Sequence, residues 1–234
     1  MFKTFYDSAL SHPGIAFIAT ALFLVAFALR QRFLIGFVAL FGLEILADAF
    51  FTGAYTPVAN TAWMQPVAIT FVILGDYRYF VAVERVLATE KNTPIGGMGP
   101  ARPWLRAAAL AFIVPIASVI PQKAMPTYFT QLNAIFLVYE AMFFVLALVL
   151  FVGVLPRRLK GVDADLAQWV RRLTVFELVQ YGLWATADVL ILSGIREPGY
   201  LLRLVPNTLY YGAFLPFLYF SAPARLRVGE VISS

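Results

Sequence analysis

Acidic side chains interrupt several stretches of the sequence that are otherwise apolar. Six carboxyl groups are placed in this way: Glu44, Asp48, Asp76, Glu140, Glu177 and Asp188. A carboxylate at bilayer depth costs about 2.5–3.5 kcal/mol on insertion scales, so none of these side chains is expected to face lipid. We expect them to line an interior, where a carboxyl group holds a proton, pairs with a cation or is hydrated. The residue types therefore favour proton or cation binding.

Two of these acids, Asp48 and Asp188, occupy equivalent places in a repeated stretch. A shift of 140 positions superimposes eight identical residues between positions 32 and 80 without a gap. The identical residues are Arg32, Gly42, Leu43, Ala47, Asp48, Pro66, Tyr79 and Phe80, matched to Arg172, Gly182, Leu183, Ala187, Asp188, Pro206, Tyr219 and Phe220. The repetition predicts a duplicated helical hairpin that places both aspartates at one level of the membrane.

The paired aspartates have two interpretations. If Asp48 and Asp188 approach each other or border one cavity in a low dielectric, both cannot ionise easily, and one would hold a proton for coupling. In the alternative, each aspartate accepts hydrogen bonds from its neighbours and only fixes helix packing, as the adjacent Ala47 and Ala187 suggest.

Arg78 is the one cation well inside a predicted span, at roughly the depth of Asp76 and Glu177. A buried guanidinium needs a carboxylate, so we expect an ion pair between Arg78 and either Glu177 or Asp76. Asp76, Arg78 and Glu177 would then form a cytoplasmic gate that opens when substrate or a proton competes for a carboxylate. A static latch, or an arginine extended to the interface, is the alternative.

The remaining polar residues predict a substrate or proton site in the bundle core. Its expected members are Glu44, Asp48, Glu140, Asp188, Asn207 and Tyr211. Pro66 and Pro206 are interpreted as helix starters. Pro216 should kink the last helix and leave a backbone carbonyl near Gly212 unpaired.

The elements that position these residues are membrane helices. The chain of 234 residues is 61% hydrophobic and 13% charged, whereas a soluble domain is roughly 45–50% apolar and about 25% charged. Stretches long enough to span a bilayer as helices run over Gly14–Leu29, Phe33–Ala54, Ala62–Val83, Trp104–Ile120, Phe129–Leu155, Leu173–Gly194 and Leu201–Ser221. The sequence thus predicts an all-α polytopic membrane protein with seven transmembrane helices in one domain, 1–234.

The distribution of charge predicts the orientation of these helices. Thirteen Lys and Arg residues flank the span ends on one side, against four on the other. The positive-inside rule therefore places the N-terminus outside and the C-terminus in the cytoplasm, in the inner membrane of a bacterium. The net charge of +5 is explained by topology, and the expected partner is the lipid bilayer rather than nucleic acid.

The repeat predicts a parallel 3+1+3 organisation, with a first repeat over 14–88, a linker helix over 104–120 and a second repeat over 128–221. Parallel repeats of this kind are one construction used by transporters. Helices two and three are the copies of helices six and seven.

Seven helices in a 3+1+3 repeat resemble the architecture of the microbial rhodopsins and of the PQ-loop and SWEET-type transporters. The resemblance is topological and covers nearly the whole chain. On a rhodopsin's last helix, Asn207 and Tyr211 take roughly the places of the counter-ion and the retinal lysine. The four lysines, Lys3, Lys91, Lys123 and Lys160, lie outside the predicted spans. Covalent retinal is therefore not expected, and the reversed pair Gln65-Pro66 on helix three is not the PQ motif.

Other cofactors lack ligands in this sequence. The chain has no cysteine and a single histidine, His12. Bis-histidine haem and multi-histidine or thiolate zinc sites are therefore not expected. We expect no cofactor and no metal.

The favoured function is the binding and translocation of a small solute through the carboxylate-lined core, with proton coupling. A lysine-less, rhodopsin-like sensor or receptor for a hydrophobic ligand is one alternative. An intramembrane hydrolase using Asp76 is another, because Leu74-Gly75-Asp76 is similar to fragments of aspartyl intramembrane proteases and lysoplasmalogenase-type hydrolases. The protease's Tyr-Asp partner and the hydrolase's lysine beside proline are missing, so catalysis is less favoured and no catalytic residue is assigned. The sequence leaves a homo-oligomer open.

Overall fold

The structure is a computed structural model that describes residues 1–28, 35–89 and 101–224. Across these ranges the chain forms helices and turns without a strand. The predicted all-α class is therefore confirmed.

Ten α-helices lie within the described residues. In chain order they are α1 (Phe2–Tyr6), α2 (His12–Ala28), α3 (Ile35–Thr52), α4 (Met64–Thr89), α5 (Ala101–Ala124), α6 (Leu132–Val149), α7 (Leu155–Arg158), α8 (Ala164–Leu192), α9 (Arg196–Thr208) and α10 (Phe214–Phe220). A 3₁₀ turn, Tyr128–Thr130, precedes α6. The π-helical segment Leu150–Val154 joins α6 to α7, and the π-helical segment Leu209–Ala213 joins α9 to α10.

Four helical stretches in the described part of the chain are long and apolar enough to cross a membrane. They are Met64–Ala88, Ala101–Ala124, Leu132–Arg158 and Ala164–Leu192. By the length and composition of these helices the chain is an integral membrane protein. The other three predicted spans fall on α2, α3 and the α9–α10 rod, so seven spans stay a prediction.

The structure places the starts of the last two long helices earlier than the hydropathy of the sequence predicts. The helix predicted from Leu173 begins at Ala164, because the Asp163 carboxylate accepts hydrogen bonds from the backbone N–H groups of Asp165 and Leu166, at 3.0 and 3.2 Å. This is an N-cap, which stabilises a polar first turn that hydropathy overlooks.

The helix predicted from Leu201 begins at Arg196, so Pro206 lies inside α9 rather than at its start. The interpretation of Pro206 as a helix starter is therefore wrong. Pro66, by contrast, lies in the first turn of α4, as expected.

Both π-helical segments stand just before a proline. Proline has no N–H and its ring clashes with the carbonyl four residues earlier, which is Val152 for Pro156 and Gly212 for Pro216. Each of these carbonyls lies within a π-helical segment. The distortion that the sequence predicts near Gly212 is thus present, as a widened helical turn.

The helix α8 is the central helix of the bundle and packs against α6 and α9. Its buried face carries apolar and polar side chains alike, including Thr174, Glu177, Gln180 and Asp188. A close approach of α9 is possible because Gly199 has no side chain. A Cβ there would lie 3.0 Å from the Ala187 carbonyl and 2.5 Å from Ile191 Cγ1.

Candidate functional site

The polar residues of the bundle interior fall into three clusters. We call them the Arg203 cluster, the Arg78 cluster and the Asp76 cluster. Each is built by side chains from at least two helices.

The Arg203 cluster joins α9 to α6 and α8. Arg203 is buried, and its guanidinium Nη1 donates a hydrogen bond to Asp188 Oδ1. Its Nη2 lies 3.3 Å from Glu140 Oε1. Asn133 Nδ2 donates to the same Asp188 oxygen at 2.9 Å. Two predicted site residues, Glu140 and Asp188, are thus brought together by one guanidinium.

The burial of Arg203 is not predicted from the sequence. Arg203 stands near the start of the last predicted span and counts among the four cations at the outer span ends, whereas Arg78 is predicted to be the one cation well inside a span. The structure instead buries Arg203 against two acids, because this side chain lies on the buried face of α9. A hydropathy average over a window of residues does not show whether an arginine near a helix end is buried or exposed.

The outer side of Arg203 is covered by the N-terminal helix α1. Arg203 Nε donates to the hydroxyl oxygen of Tyr6 at 2.9 Å. The Tyr6 ring also contacts the edge of the His12 ring, at 5.1 Å between centroids. Tyr6 therefore forms part of the cluster, although the sequence analysis did not include it.

The Arg78 cluster joins α4 to α3 and to the π-helical segment Leu209–Ala213. Arg78 is buried, and its Nη1 lies 3.5 Å from Glu44 Oε2. Its Nη2 donates to the Tyr210 carbonyl at 3.0 Å. The guanidinium carbon lies 4.1 Å from the Tyr210 ring centroid and 4.7 Å from that of Phe214. Aromatic faces and a carbonyl of the widened turn thus share this cation with Glu44.

The predicted partner of Arg78 is therefore wrong. The ion pair is formed with Glu44 on α3, not with Glu177 or Asp76. Glu177 is buried, and no ion pair between Glu177 and Arg78 occurs among the described residues. The spacing of residues along a helix predicts their depth in the membrane. It does not predict which neighbouring helix a side chain contacts, and Arg78 contacts α3.

Asp48 is held separately from Asp188. Asp48 Oδ1 accepts a hydrogen bond from Thr52 Oγ1 at 2.9 Å, and this hydroxyl lies 3.4 Å from the Tyr211 hydroxyl. Asp48 and Tyr211, both predicted site residues, are therefore linked through Thr52. The two equivalent aspartates have different partners, since Asp188 binds Arg203 and Asn133.

The Asp76 cluster contains no cation. The hydroxyl groups of Tyr139 and Tyr181 donate to the two carboxylate oxygens of Asp76. The Tyr181 ring stacks on Phe143, at 4.3 Å between centroids. Tyr139 was missed by the sequence analysis. Its only signal is its position next to Glu140.

Asn207 connects the aromatic residues between the clusters. Its Oδ1 accepts from Trp184 Nε1 at 2.8 Å, and its Nδ2 lies 2.7 Å from His12 Nε2. The His12 ring stacks on Tyr211, at 5.3 Å between centroids. His12 therefore lies beside two predicted site residues, although its sequence position does not indicate a place in the site.

Acids outnumber cations in the interior of the described bundle. Five of the six predicted acids are buried, and the side chain of the sixth, Glu44, is only 7% exposed. Arg78 and Arg203 are the two buried arginines within the described spans. Six carboxyl groups share two guanidinium groups, so the acids exceed the cations by four, and no ion pair is formed by Asp48, Asp76 or Glu177 with a described residue.

Several atoms of these groups lack a hydrogen-bond partner among the described residues. They are both carboxylate oxygens of Glu44, Nε and Nη1 of Arg78, Oε2 of Glu140 and Oδ2 of Asp188. An unpaired buried polar group costs about 1–3 kcal/mol, and more when it is charged. The ion-paired acids Glu44, Glu140 and Asp188 therefore keep oxygens that can accept a proton or a hydrogen bond from a solute.

No group of three or more acidic or histidine side chains able to hold a metal ion occurs within residues 1–28, 35–89 and 101–224.

Comparisons of the chain with known protein families, with curated proteins and with solved structures gave no match, so the argument for function rests on the site itself.

Proposed function

We propose that this protein is a seven-helix membrane transporter that binds a small solute in its carboxyl-lined core and moves it together with a proton. The observation that carries the proposal is that the interior has six acids and only two arginines. Charge balance in a static bundle requires no more acids than there are cations. Four additional carboxyl groups at bilayer depth have a cost that function must offset.

The Arg203 cluster supplies a mechanism for coupling. One guanidinium serves two acids, Asp188 and Glu140, and each acid keeps one oxygen without a partner. A proton on Glu140 weakens its attraction to Arg203 and leaves the cation to Asp188. A solute that presents its own anionic or hydrogen-bonding group can then compete for Arg203. Proton binding and solute binding are thereby linked through one residue.

The Arg78 cluster supplies the second moving contact. Arg78 is divided between Glu44 and a carbonyl of the widened turn before Pro216. Broken or widened helices with accessible carbonyls are the usual substrate sites of membrane transporters. In this proposal the gate is the ion pair between Arg78 and Glu44, and Glu177 and Asp76 are further acids of the same gate.

The proposal includes seven spans, with the N-terminus outside. The helices α2 and α3 have 17 and 18 residues, or about 26 Å at 1.5 Å per residue, close to the roughly 30 Å core of a bilayer. The α9–α10 rod runs over Arg196–Phe220 through its π-helical segment. Together with the four longer helices these three complete the predicted set.

The geometry favours transport over hydrolysis. A general base must lie within hydrogen-bond reach of the proton that it abstracts, and both oxygens of Asp76 already accept hydrogen bonds from buried or part-buried tyrosine hydroxyl groups.

The proposal is tested in proteoliposomes that enclose a pH-sensitive dye. A panel of small solutes is added outside, and solute-dependent acidification of the lumen is recorded. We expect wild-type protein to acidify the lumen with at least one solute, and Glu140→Gln to abolish that response. Asp165→Asn, at an exposed acid in the first turn of α8, is the matched control and should respond as wild type. A response that survives in Glu140→Gln would contradict the proposal.

A further inference from the structure

A groove opens on the bundle surface where α4 ends, α5 begins and α7 ends. It has a volume of about 410 Å³ and is lined by Glu84, Arg106, Ala109, Leu110 and Arg158. This volume is within the range of small-ligand sites. None of its lining residues belongs to the three interior clusters, and the proposed transport function does not use the groove.

The charge presented by the groove is positive. Glu84 is buried, and both of its carboxylate oxygens accept hydrogen bonds from Arg158. A guanidinium has five N–H donors, so Arg158 keeps three after this bidentate pair. Its side chain is 33% exposed. Arg106 is exposed and forms no ion pair with a described residue. Two guanidinium groups therefore remain available to an anion.

An apolar stripe runs along α5 away from Arg106. Ala109, Ile113, Ile116 and Ile120 follow Arg106 at spacings of three, four, three and four, which places them on one helical face. The three isoleucines are 44%, 68% and 72% exposed. From Arg106 to Ile120 the stripe is about 21 Å long at 1.5 Å per residue, which is longer than one leaflet of a roughly 30 Å core.

We propose that this groove binds the phosphate of an anionic phospholipid, with an acyl chain along the Ala109–Ile120 stripe. Arg106 and the free edge of Arg158 hold the phosphate, and the buried Glu84 keeps Arg158 in place. Basic pockets between membrane helices, at the membrane side rich in arginine, have the charge that anionic headgroups require. A free phosphate would use the arginines but not the stripe, whose length and exposure fit a lipid tail.

The test is native mass spectrometry of the delipidated protein in detergent, with phosphatidylglycerol, phosphatidylcholine or inorganic phosphate added. We expect phosphatidylglycerol to be retained in preference to phosphatidylcholine. Arg106→Gln should weaken this binding about fivefold, since one interfacial arginine contributes about 1 kcal/mol. Arg106→Lys should keep most of it. Arg171→Gln, at an exposed arginine on α8, is the matched control and should bind as wild type.

Four results would overturn the proposal. The first is equal retention of the two phospholipids. The second is binding by Arg106→Gln at the wild-type level, when the variant elutes as a single species with the wild-type melting temperature. The third is equal competition by inorganic phosphate, which would make the site one for free anions. A dimer that is lost in Arg106→Gln without any change in lipid binding would also contradict it, since the groove would then contact a second copy.

Discussion

Arg203 determines how the charged interior is arranged at the scale of single residues. It contacts Asp188, Glu140 and Tyr6, which come from three different helices. A buried ion pair is a weak source of stability by itself, but removal of one partner leaves an uncompensated buried charge. The acids that depend on Arg203 should therefore be sensitive to its loss.

We expect Arg203→Gln to destabilise the fold by about 3–5 kcal/mol, because Asp188 and Glu140 then share no cation. Unfolding in mixed micelles of increasing denaturing detergent measures the change. Arg196→Gln, at an exposed arginine of the same helix, should change stability little. The double variant Arg203→Gln/Asp188→Asn should recover part of the loss, and a double variant that is less stable than Arg203→Gln would contradict this explanation.

The exposed contact between α1 and α9 predicts a dependence on pH. The pKa of Glu197 lies below its usual range because its carboxylate accepts hydrogen bonds from the N-terminal ammonium of Met1 at 3.0 Å and from the backbone N–H of Phe2 at 2.7 Å. A carboxylate with a lowered pKa stabilises the folded contact above its unfolded pKa. That stabilisation is lost as the pH falls through the folded value.

Amide hydrogen exchange of α1, corrected for the intrinsic effect of pH, should therefore speed up as the pH is lowered through and below the usual range of a glutamate. Glu197→Gln should exchange quickly at neutral pH as well, and with less dependence on pH. Equal protection of α1 in wild type and Glu197→Gln at neutral pH would show that this contact does not hold α1.

The sequence predicts which residues form the interior but not how they pair. The six acids could be found because each interrupts an apolar stretch, and Asn207 and Tyr211 follow from their places in the last helix. Partners could not be found in this way. Arg78 binds Glu44 rather than Glu177, and Tyr139 binds Asp76, because the rotation of one helix against another depends on packing across the whole bundle.

At the scale of elements, Gly75 allows α4 to contact the π-helical segment Leu209–Ala213. A Cβ on Gly75 would lie 2.0 Å from the Tyr210 hydroxyl and 2.7 Å from its ring. Tyr210 is buried and its ring lies against Arg78. The glycine thus allows the tyrosine that positions Arg78 to pack directly on α4.

Gly75→Ala should destabilise the protein by about 1–3 kcal/mol, since overpacking a rigid ring forces a backbone or ring shift. Gly36→Ala is the control, because a Cβ at Gly36 meets nothing within 4 Å. This control should be neutral or more stable by roughly 0.5–1 kcal/mol, since alanine favours a helix over glycine. Equal stability of Gly75→Ala and Gly36→Ala in the same detergent titration would contradict the close packing.

Element boundaries follow from the sequence only where hydropathy changes sharply. The helix α5 lies within a few residues of its predicted span, whereas α8 and α9 begin earlier through polar first turns. Asp163 could have been recognised in the sequence as an N-cap, because it is an acid directly before a helix. A hydropathy window does not include this polar first turn in the predicted span. The π-helical segments were partly predictable, because Pro216 stands inside a helix, while Pro156 was not recognised as a similar case.

For the whole molecule, composition alone determined the class. A chain this apolar must place its helices in lipid, and the described part contains four helices that can cross a membrane. The duplicated hairpin, the seven spans and the orientation stay predictions. The two copies differ where the chemistry is concentrated, since Glu44 and Arg78 in the first copy correspond to Trp184 and Leu218 in the second. Equivalent aspartates therefore acquire different partners.

Central to the transport proposal is that the interior acids in excess of the two interior arginines hold protons at neutral pH. Infrared difference spectroscopy of the protein in lipid reports the carbonyl stretch of protonated carboxyl groups directly. The account predicts a signal from about four such groups among the six interior acids, with one component lost in Glu140→Gln and none lost in Asp165→Asn. A spectrum at neutral pH without any protonated carboxyl signal would contradict it.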